Sequence, residues 1–386
     1  MRIIVGGVLS LSPFGPGTAW HHMHYADGFR RLGHDVYYVE HVQPAWCTDS
    51  TGRRCSFADS ANRLLFQYIV DHFGFTDRAA QIYDEGTQGI GMSLARLLDI
   101  ARDADLLINI SGHITLDAIL ERVQRRAYVD EDPVYTQIWR AEYGKDLNLG
   151  KHDVFFSQGL SIGSQGTPIP DAGIHWYPLR PLLVSDWWPF QIDASCGRFT
   201  TIASWGGLGD VRMNDEWYTS KYAEFERFAE LPMRVEQLLE IAMRRHRDDD
   251  PRIRHLRQHG WILSEGSRIS DLSMYQAFIA GSRAEIGIAK NAYVKSRSGW
   301  LGDRAGHYLA CGKPVLAQST GFEEHLPTGR GLIAFRTLDE AVAGIEEINR
   351  HYEGHCRAAR DFAVEYLDYR KVLPAMLDRC MSKPNQ

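Results

Sequence analysis

Apolar and polar positions set out the elements of this chain before any chemistry is considered. Arg2 to Leu9 is an apolar run of strand length, and helical spacing follows from about Thr18 to Leu32 after the Pro/Gly loop Ser12-Pro13-Phe14-Gly15-Pro16-Gly17. Gly33-His34-Asp35 turns the chain into a second strand, Val36 to Glu40. Helical periodicity returns near Leu64 to His72 and Leu94 to Arg102, and a buried strand, Leu106 to Ile110, ends at Ser111-Gly112. Short strands are predicted near Ala127 to Val129 and Val154 to Phe156.

The pattern restarts at the β-branched run Arg198 to Trp205, which ends in Gly206-Gly207-Leu208-Gly209. Helices are predicted near Tyr218 to Phe228, Asp250 to His259 and Asp271 to Ala280. A strand from Ala284 to Ala289 precedes a glycine loop, Ser298-Gly299-Trp300-Leu301-Gly302-Asp303-Arg304, a helix at 304–312 and the strand Val315-Leu316-Ala317. Helices near Leu338 to Asn349 and Cys356 to Tyr366 complete the pattern. Strand–helix alternation of this kind predicts two parallel sheets, each covered on both faces. Five prolines between Pro168 and Pro189 mark a connecting segment, so domains of residues 1–178 and 179–386 are expected, with a cleft between them.

Composition narrows the class. The chain has 386 residues, 44% hydrophobic and 24% charged, with a formal net charge of −6. That balance argues against a nucleic-acid partner. The six cysteines, at 47, 55, 196, 311, 356 and 380, form no CxxC pair, so neither a zinc ribbon nor a disulfide framework is expected. No stretch reaches the roughly 18 apolar residues of a membrane span, and the N-terminus lacks a signal-peptide pattern; a cytoplasmic enzyme is the expectation.

Candidate chemistry concentrates in the glycine loop before the 304–312 helix. A loop opening a helix presents free N–H groups and the positive end of the helix dipole to an anion. Arg297, Arg304 and Lys290 supply counter-charge for a diphosphate, with Asp303 expected at the N-cap. The glycine spacing does not match GxxxxGK[ST], which excludes a P-loop.

His307-Tyr308-Leu309-Ala310-Cys311-Gly312-Lys313-Pro314-Val315-Leu316-Ala317 resembles the "EAMACGxPVVAS" segment of the nucleotide-sugar half of GT-B fold glycosyltransferases. The first glycine loop and Leu32-Gly33-His34-Asp35-Val36 look like the start of that fold. The chain also resembles an uncharacterised bacterial group with SGWxxDR and TGFxxHLPTG patterns. The resemblance implies two Rossmann-like domains, C-terminal helices packing back, and the last helix crossing to the N-terminal domain. It also implies a C-terminal donor site and an N-terminal acceptor site. Retaining members carry a Glu-x7-Glu pair whose second Glu holds the ribose; here Gly299 and His307 occupy those places, leaving Asp303 or Glu324 for the ribose. The resemblance further places the nucleotide base near Trp261, and the donor sugar or phosphate near Gln318, Thr320 and Gly321, beside Ser298, Gly299 and Trp300.

Glycosyl transfer calls for a group that takes the acceptor proton. His21 and His22 lie in the first helical segment, where the positive helix end keeps an imidazole neutral. His21 is the favoured base, with His22 as the alternative and Asp130 as a residue that touches the acceptor or orients the histidine. His21-His22-x-His24 lacks an acidic or cysteine partner at useful spacing, and Asp130-Glu131-Asp132 runs into Pro133, so no metal site and no cofactor are expected. The expected partners are a nucleotide-sugar donor and a small-molecule or saccharide acceptor. An epimerase or hydrolase of the same fold and a non-catalytic nucleotide-sugar binder are the rival readings.

Overall fold

The structure is a computed structural model that describes residues 1–10, 15–204, 208–244 and 249–382. Ser12, Pro13 and Phe14 of the first glycine loop, and Trp205-Gly206-Gly207 at the end of the Arg198 strand, lie outside the described residues. Two sheets form. The first holds β1 (Arg2–Gly6), β2 (Asp35–Val42), β3 (Ala79–Tyr83), β4 (Gln88–Gly91), β5 (Leu106–Ile110), β6 (Arg125–Asp130), β7 (Val154–Ser157) and β8 (Trp176–Pro178), in the order β4-β3-β2-β1-β5-β6-β7-β8. It is parallel except for β4, which runs antiparallel to β3.

The second sheet begins with β9 (Arg198–Ser204). A hairpin, β10 (Val211–Met213) and β11 (Glu216–Tyr218), stands apart from it. β12 (Leu238–Arg244), β13 (Ile262–Glu265), β14 (Ala284–Gly287), β15 (Val315–Gln318) and β16 (Leu332–Phe335) complete a fully parallel sheet ordered β13-β12-β9-β14-β15-β16. The near-continuous apolar strands β1, β5 and β15 are buried on both faces, as parallel sheets require. The expected α/β architecture of two parallel-sheet domains is present.

The C-terminal helix Tyr369–Met381 returns to the first lobe and packs on the helix Pro16–Arg31. The approach depends on Gly28, because a Cβ there would lie 2.7 Å from Leu373 Cδ1. One apolar core therefore runs from Ile3, Val5 and Phe29 through Tyr308 and Leu309 to Leu367 and Leu373. A second core, around Phe199, Leu239 and Ile286, belongs to the second sheet. Among the described residues no helix is long and apolar enough to cross a membrane.

Candidate active site between the lobes

The Pro16–Arg31 helix starts with Pro16 in its first turn and buries His21, His22 and His24. Val8 N–H donates to His22 Nδ1 at 3.1 Å, so the remaining ring hydrogen belongs on Nε2, which lies 3.1 Å from Glu131 Oε1. His21 Nε2 is 2.7 Å from the same Glu131 oxygen, and His21 Nδ1 is 3.2 Å from Asp303 Oδ1 of the other lobe. Burial by itself would lower His21; Asp303 and Glu131 outweigh it and raise the imidazole to about 10. Burial likewise pushes Glu131 up, and His22 and His21 overcome it, holding the carboxyl well below its ordinary range. The expectation of a neutral His21 base is therefore corrected. Two carboxylates, one from each lobe, keep His21 protonated, and this decides against the helix dipole.

Asp130 is also corrected. It is fully buried at the end of β6, where its carboxylate accepts hydrogen bonds from Thr136 Oγ1 (2.7 Å), Gln137 Nε2 (2.9 Å) and Ser157 Oγ (2.8 Å). Burial raises it to about 6, with those donors opposing. Its role is to lock the turn that follows, in which Val134 is held at φ 75 and its N–H donates to Gln137 Oε1. Successive residues at a strand end point to different sides. Glu131 therefore faces the histidines, and Asp132 reaches Lys290 Nζ across the gap at 3.3 Å.

The Ser298–Trp300 segment is spent on joining the lobes. Ser161 N–H donates to Ser298 O at 3.0 Å, and Gly159 and Trp300 form an antiparallel bridge. Gly299 has φ 76, and a Cβ there would lie 2.9 Å from Ser161 N, so glycine is required by conformation and by space. Arg297 pairs with Glu324 on the exposed surface. Gly321 packs on the Arg297 carbonyl, and Thr320 Oγ1 donates to Trp300 O at 2.6 Å. Arg297, Ser298, Gly299, Thr320, Gly321 and Glu324, expected at the donor, thus form a structural seam.

A small pocket, with a cavity of about 20 Å³, lies one step further on, beyond the carboxyl ends of β14 and β15. Trp300, Gly302, Arg304 and Gln318 line it, at the start of the helix Asp303–Ala310. Gly302 is the N-cap, and Asp303 occupies the first helical position with its carboxylate directed to His21 and to Gln158 Nε2 at 3.2 Å. Arg304 is held by the buried Glu285 at 2.5 Å and by the Ile202 carbonyl. Gln318 braces the floor: its Oε1 accepts from Ala289 N–H and its Nε2 donates to Glu224.

Sequence reading missed two residues here, Glu131 and Lys221. Lys221 opens the helix Lys221–Arg227 and is 7% exposed; among the described residues its ammonium has no hydrogen-bond or ion-pair partner. Burial depresses it well below the usual lysine range; Arg304 and Lys290 add to the effect and Glu285 opposes it. An unpaired buried amine beside two cations is costly to charge unless an anion joins it. The signal in the sequence was a lysine directly after a Ser N-cap, a place that opposes the helix dipole.

Trp261 is corrected as well. Its ring is buried edge-on to Phe225 and its Nε1 donates to the Ala229 carbonyl at 3.0 Å, which makes it a core residue. His307, at the place of the ribose-holding Glu, points away from the pocket. It stacks on Trp188 at 4.3 Å and meets His24 of the first lobe, Nε2 to Nε2, at 3.1 Å. Among the described residues no group of three or more His, Cys, Asp or Glu is placed to hold a metal ion.

No protein-family profile and no curated protein sequence matches the chain. Solved structures do. HepE of Anabaena in complex with UDP-glucose aligns over 98% of this chain and 98% of its own, with TM-score 0.58 and 11% identity. An α-glucosyltransferase in complex with UDP aligns over 99% and 100%, with TM-score 0.57 and 13% identity. Sucrose-phosphate synthase from Thermosynechococcus elongatus aligns over 98% of each chain, with TM-score 0.55 and 10% identity. The α-glucosyltransferase has also been solved with UDP and a 13-mer DNA containing a HMU base, aligned over 99% of this chain. That finding overturns the exclusion of nucleic acid drawn from net charge, because a total charge says nothing about one face of one lobe. At these identities the likeness establishes architecture: the chain has the GT-B fold.

Proposed function

We propose that this protein transfers a sugar from a nucleotide-diphosphate sugar to a hydroxyl-bearing acceptor. The second lobe, within residues 179–386, holds the donor, and the first, within 1–178, holds the acceptor. The carrying observation is the pocket at the start of the Asp303–Ala310 helix, where Arg304 lines the wall and the unpartnered Lys221 stands within charge range of Arg304 and of Lys290, which is itself paired with Asp132. With a cavity of about 20 Å³ it is well below the size of small-ligand sites, so the reading rests on the charges and first-turn amides gathered there and not on volume. Fixed cations and first-turn amides stabilise the charge that develops on a diphosphate leaving group. Structures of the same fold that hold UDP or UDP-glucose support the same reading.

On the opposite wall Glu131 is 17% exposed at its side chain, and Asp303, beside the pocket on its own helix, is 26% exposed. A carboxylate with a depressed pKa is a poor base and a good fixed negative charge. We assign Glu131 to stabilising the positive charge that develops at the anomeric carbon, with His21 fixing its place.

Calorimetric titration with UDP, GDP, ADP and TDP tests the reading, which fails if none binds better than about millimolar. Lys221→Met is the discriminating variant. It removes an ammonium that has no partner, so stability holds or rises, while affinity for the best nucleotide falls about 10-fold or more.

A further inference from the structure

Beyond the carboxyl ends of β2, β5 and β6 lies a second group of side chains that the donor site does not use. Trp46 closes the turn Pro44–Trp46 after β2, backed by Val42, Cys47, Phe57 and Tyr83. His113 follows β5, its ring edge-on to Trp46 at 5.9 Å. Both are partly exposed, and among the described residues neither the Trp46 indole N–H nor a His113 ring nitrogen has a hydrogen-bond partner. Ser111, two residues before His113, donates from Oγ to Glu131 Oε2 at 3.1 Å.

The turn that carries these groups is built rigidly. Ser111 is held at φ 50, in the left-handed region, and Gly112 follows at φ 67. Asn109 ties the turn on both sides, with its Nδ2 donating to Ile114 O and its Oδ1 accepting from Ile114 N–H, each at 2.9 Å. A strained, braced turn at a strand end is a place where a fold fixes side chains for a ligand. Burial pushes His113 down to about 4, with Glu131 opposing, so near neutral pH the ring both donates and accepts.

Resting on the function proposed above, we infer that Trp46 and His113 form the acceptor subsite, and that the acceptor is a pyranose ring. A pyranose has a face of C–H groups, which an indole covers, and hydroxyls around its edge, which an imidazole and a carboxylate take up. A flat apolar acceptor would cover Trp46 and leave His113 buried without a partner, a loss that polar sites do not tolerate well. The row Trp46, His113, Glu131 then leads the acceptor hydroxyl from the rim of the first lobe toward the wall that faces the donor pocket.

The test uses the full chain with the nucleotide sugar whose diphosphate binds best in the titration above. The acceptors are the methyl glycopyranosides of glucose, galactose and mannose and a 13-mer DNA carrying 5-hydroxymethyluracil, with the product read by mass. The expected result is transfer to at least one glycopyranoside. Trp46→Ala should raise its KM about 10-fold, Trp46→Phe should bring it back to within about 3-fold, and His113→Phe should raise it again. UDP affinity in the same variants reports that the donor lobe is intact, so a misfolded variant is recognised, and His113→Phe carries the test if Trp46→Ala does not fold. Transfer to the DNA alone, transfer to no acceptor, or a glycoside KM within 2-fold of wild type in Trp46→Ala and His113→Phe overturns the inference. A protein that binds no nucleotide fails the earlier reading and takes this one with it; one that binds nucleotide and ignores the glycosides fails this one alone.

Discussion

His21 and His24 are three residues apart on one helix and both are buried, yet their surroundings drive them in opposite directions. His21 sits between Glu131 and Asp303 and rises to about 10. His24 accepts from Val184 N–H at Nδ1 (3.0 Å) and meets His307 through Nε2; burial, with His307 and His21 adding to it, holds it well below the ordinary histidine range. His307 is lowered too, by burial first, then by His21 and Arg304. Both pairings cross from one lobe to the other. The difference teaches that depth alone does not set an imidazole's charge: a carboxylate within contact distance overrides burial, and a second imidazole does not. The interlobe surface therefore carries a charged half beside the donor pocket and a neutral half behind it.

Removing a carboxylate should break that contrast with the largest effect. Glu131→Gln leaves the shape of the wall and deletes its charge. The His21 imidazole is expected to move down from about 10 toward 6.5, and turnover to fall about a hundred-fold or more. Titration of the imidazole carbon-bound protons by NMR reads the first and a turnover assay the second. A His21 titration that stays where it was would show that Asp303 alone holds the ring charged, and the assignment of Glu131 would fail.

How far the sequence disclosed this arrangement depends on what each element hides. The helix Leu94–Arg102 and the strand Leu106–Ile110 have the bounds their patterns predict, because uninterrupted apolar spacing leaves one solution. β12 was not read because Glu240 interrupts it; the carboxylate is buried and paired with Arg198 and Arg268. The β10–β11 hairpin was partly absorbed into a predicted helix from Tyr218, although Asn214 and Asp215, both at positive φ, spell the turn. Pro374 concealed the last helix. In the site, histidine content was legible and facing was not. A one-residue difference at the end of β6 separates Asp130, a structural anchor, from Glu131, which touches both histidines. The Ser298 loop suggested an anion site by its glycines, which instead let the lobes approach; the pocket proposed for the donor begins with the helix that follows.

The opposed titrations give a second, smaller effect, with signs that differ. His24 and His307 have folded pKa values below the unfolded 6.5, so their contribution is present above 6.5 and is lost on acidification as the unfolded chain takes up protons. His21 is raised, so its contribution is complete below 6.5 and disappears as pH rises through about 10. Between about pH 7.5 and about pH 5.5 each histidine changes stability by up to about 1.4 kcal/mol, His24 and His307 downward and His21 upward. Urea unfolding of His307→Gln at the two pH values should show a shallower acid loss than wild type, and His21→Gln a steeper one. A change of the same sign in both variants would refute the contrast.

The smallest effect concerns the end of the neutral chain. Because Val184 N–H occupies His24 Nδ1, His24 donates from Nε2. His307 accepts at Nε2, and its Nδ1–H points to the Tyr275 hydroxyl at 3.1 Å. Tyr275→Phe keeps the ring beside Trp188 and His307, 6.3 and 5.7 Å between centroids, and deletes only that acceptor. A buried N–H then lacks a partner, at a cost of about 1–2 kcal/mol. The imidazole already lies well below 6.5, so losing the acceptor cannot change the protons it binds between about pH 5.5 and about pH 7.5. The loss should therefore be equal at both pH values, a parallel offset of the stability curve, distinct from the altered slope of His307→Gln. An offset that grows on acidification would mean that His307 takes a proton in the folded protein, and that the half of the interface described as neutral carries charge.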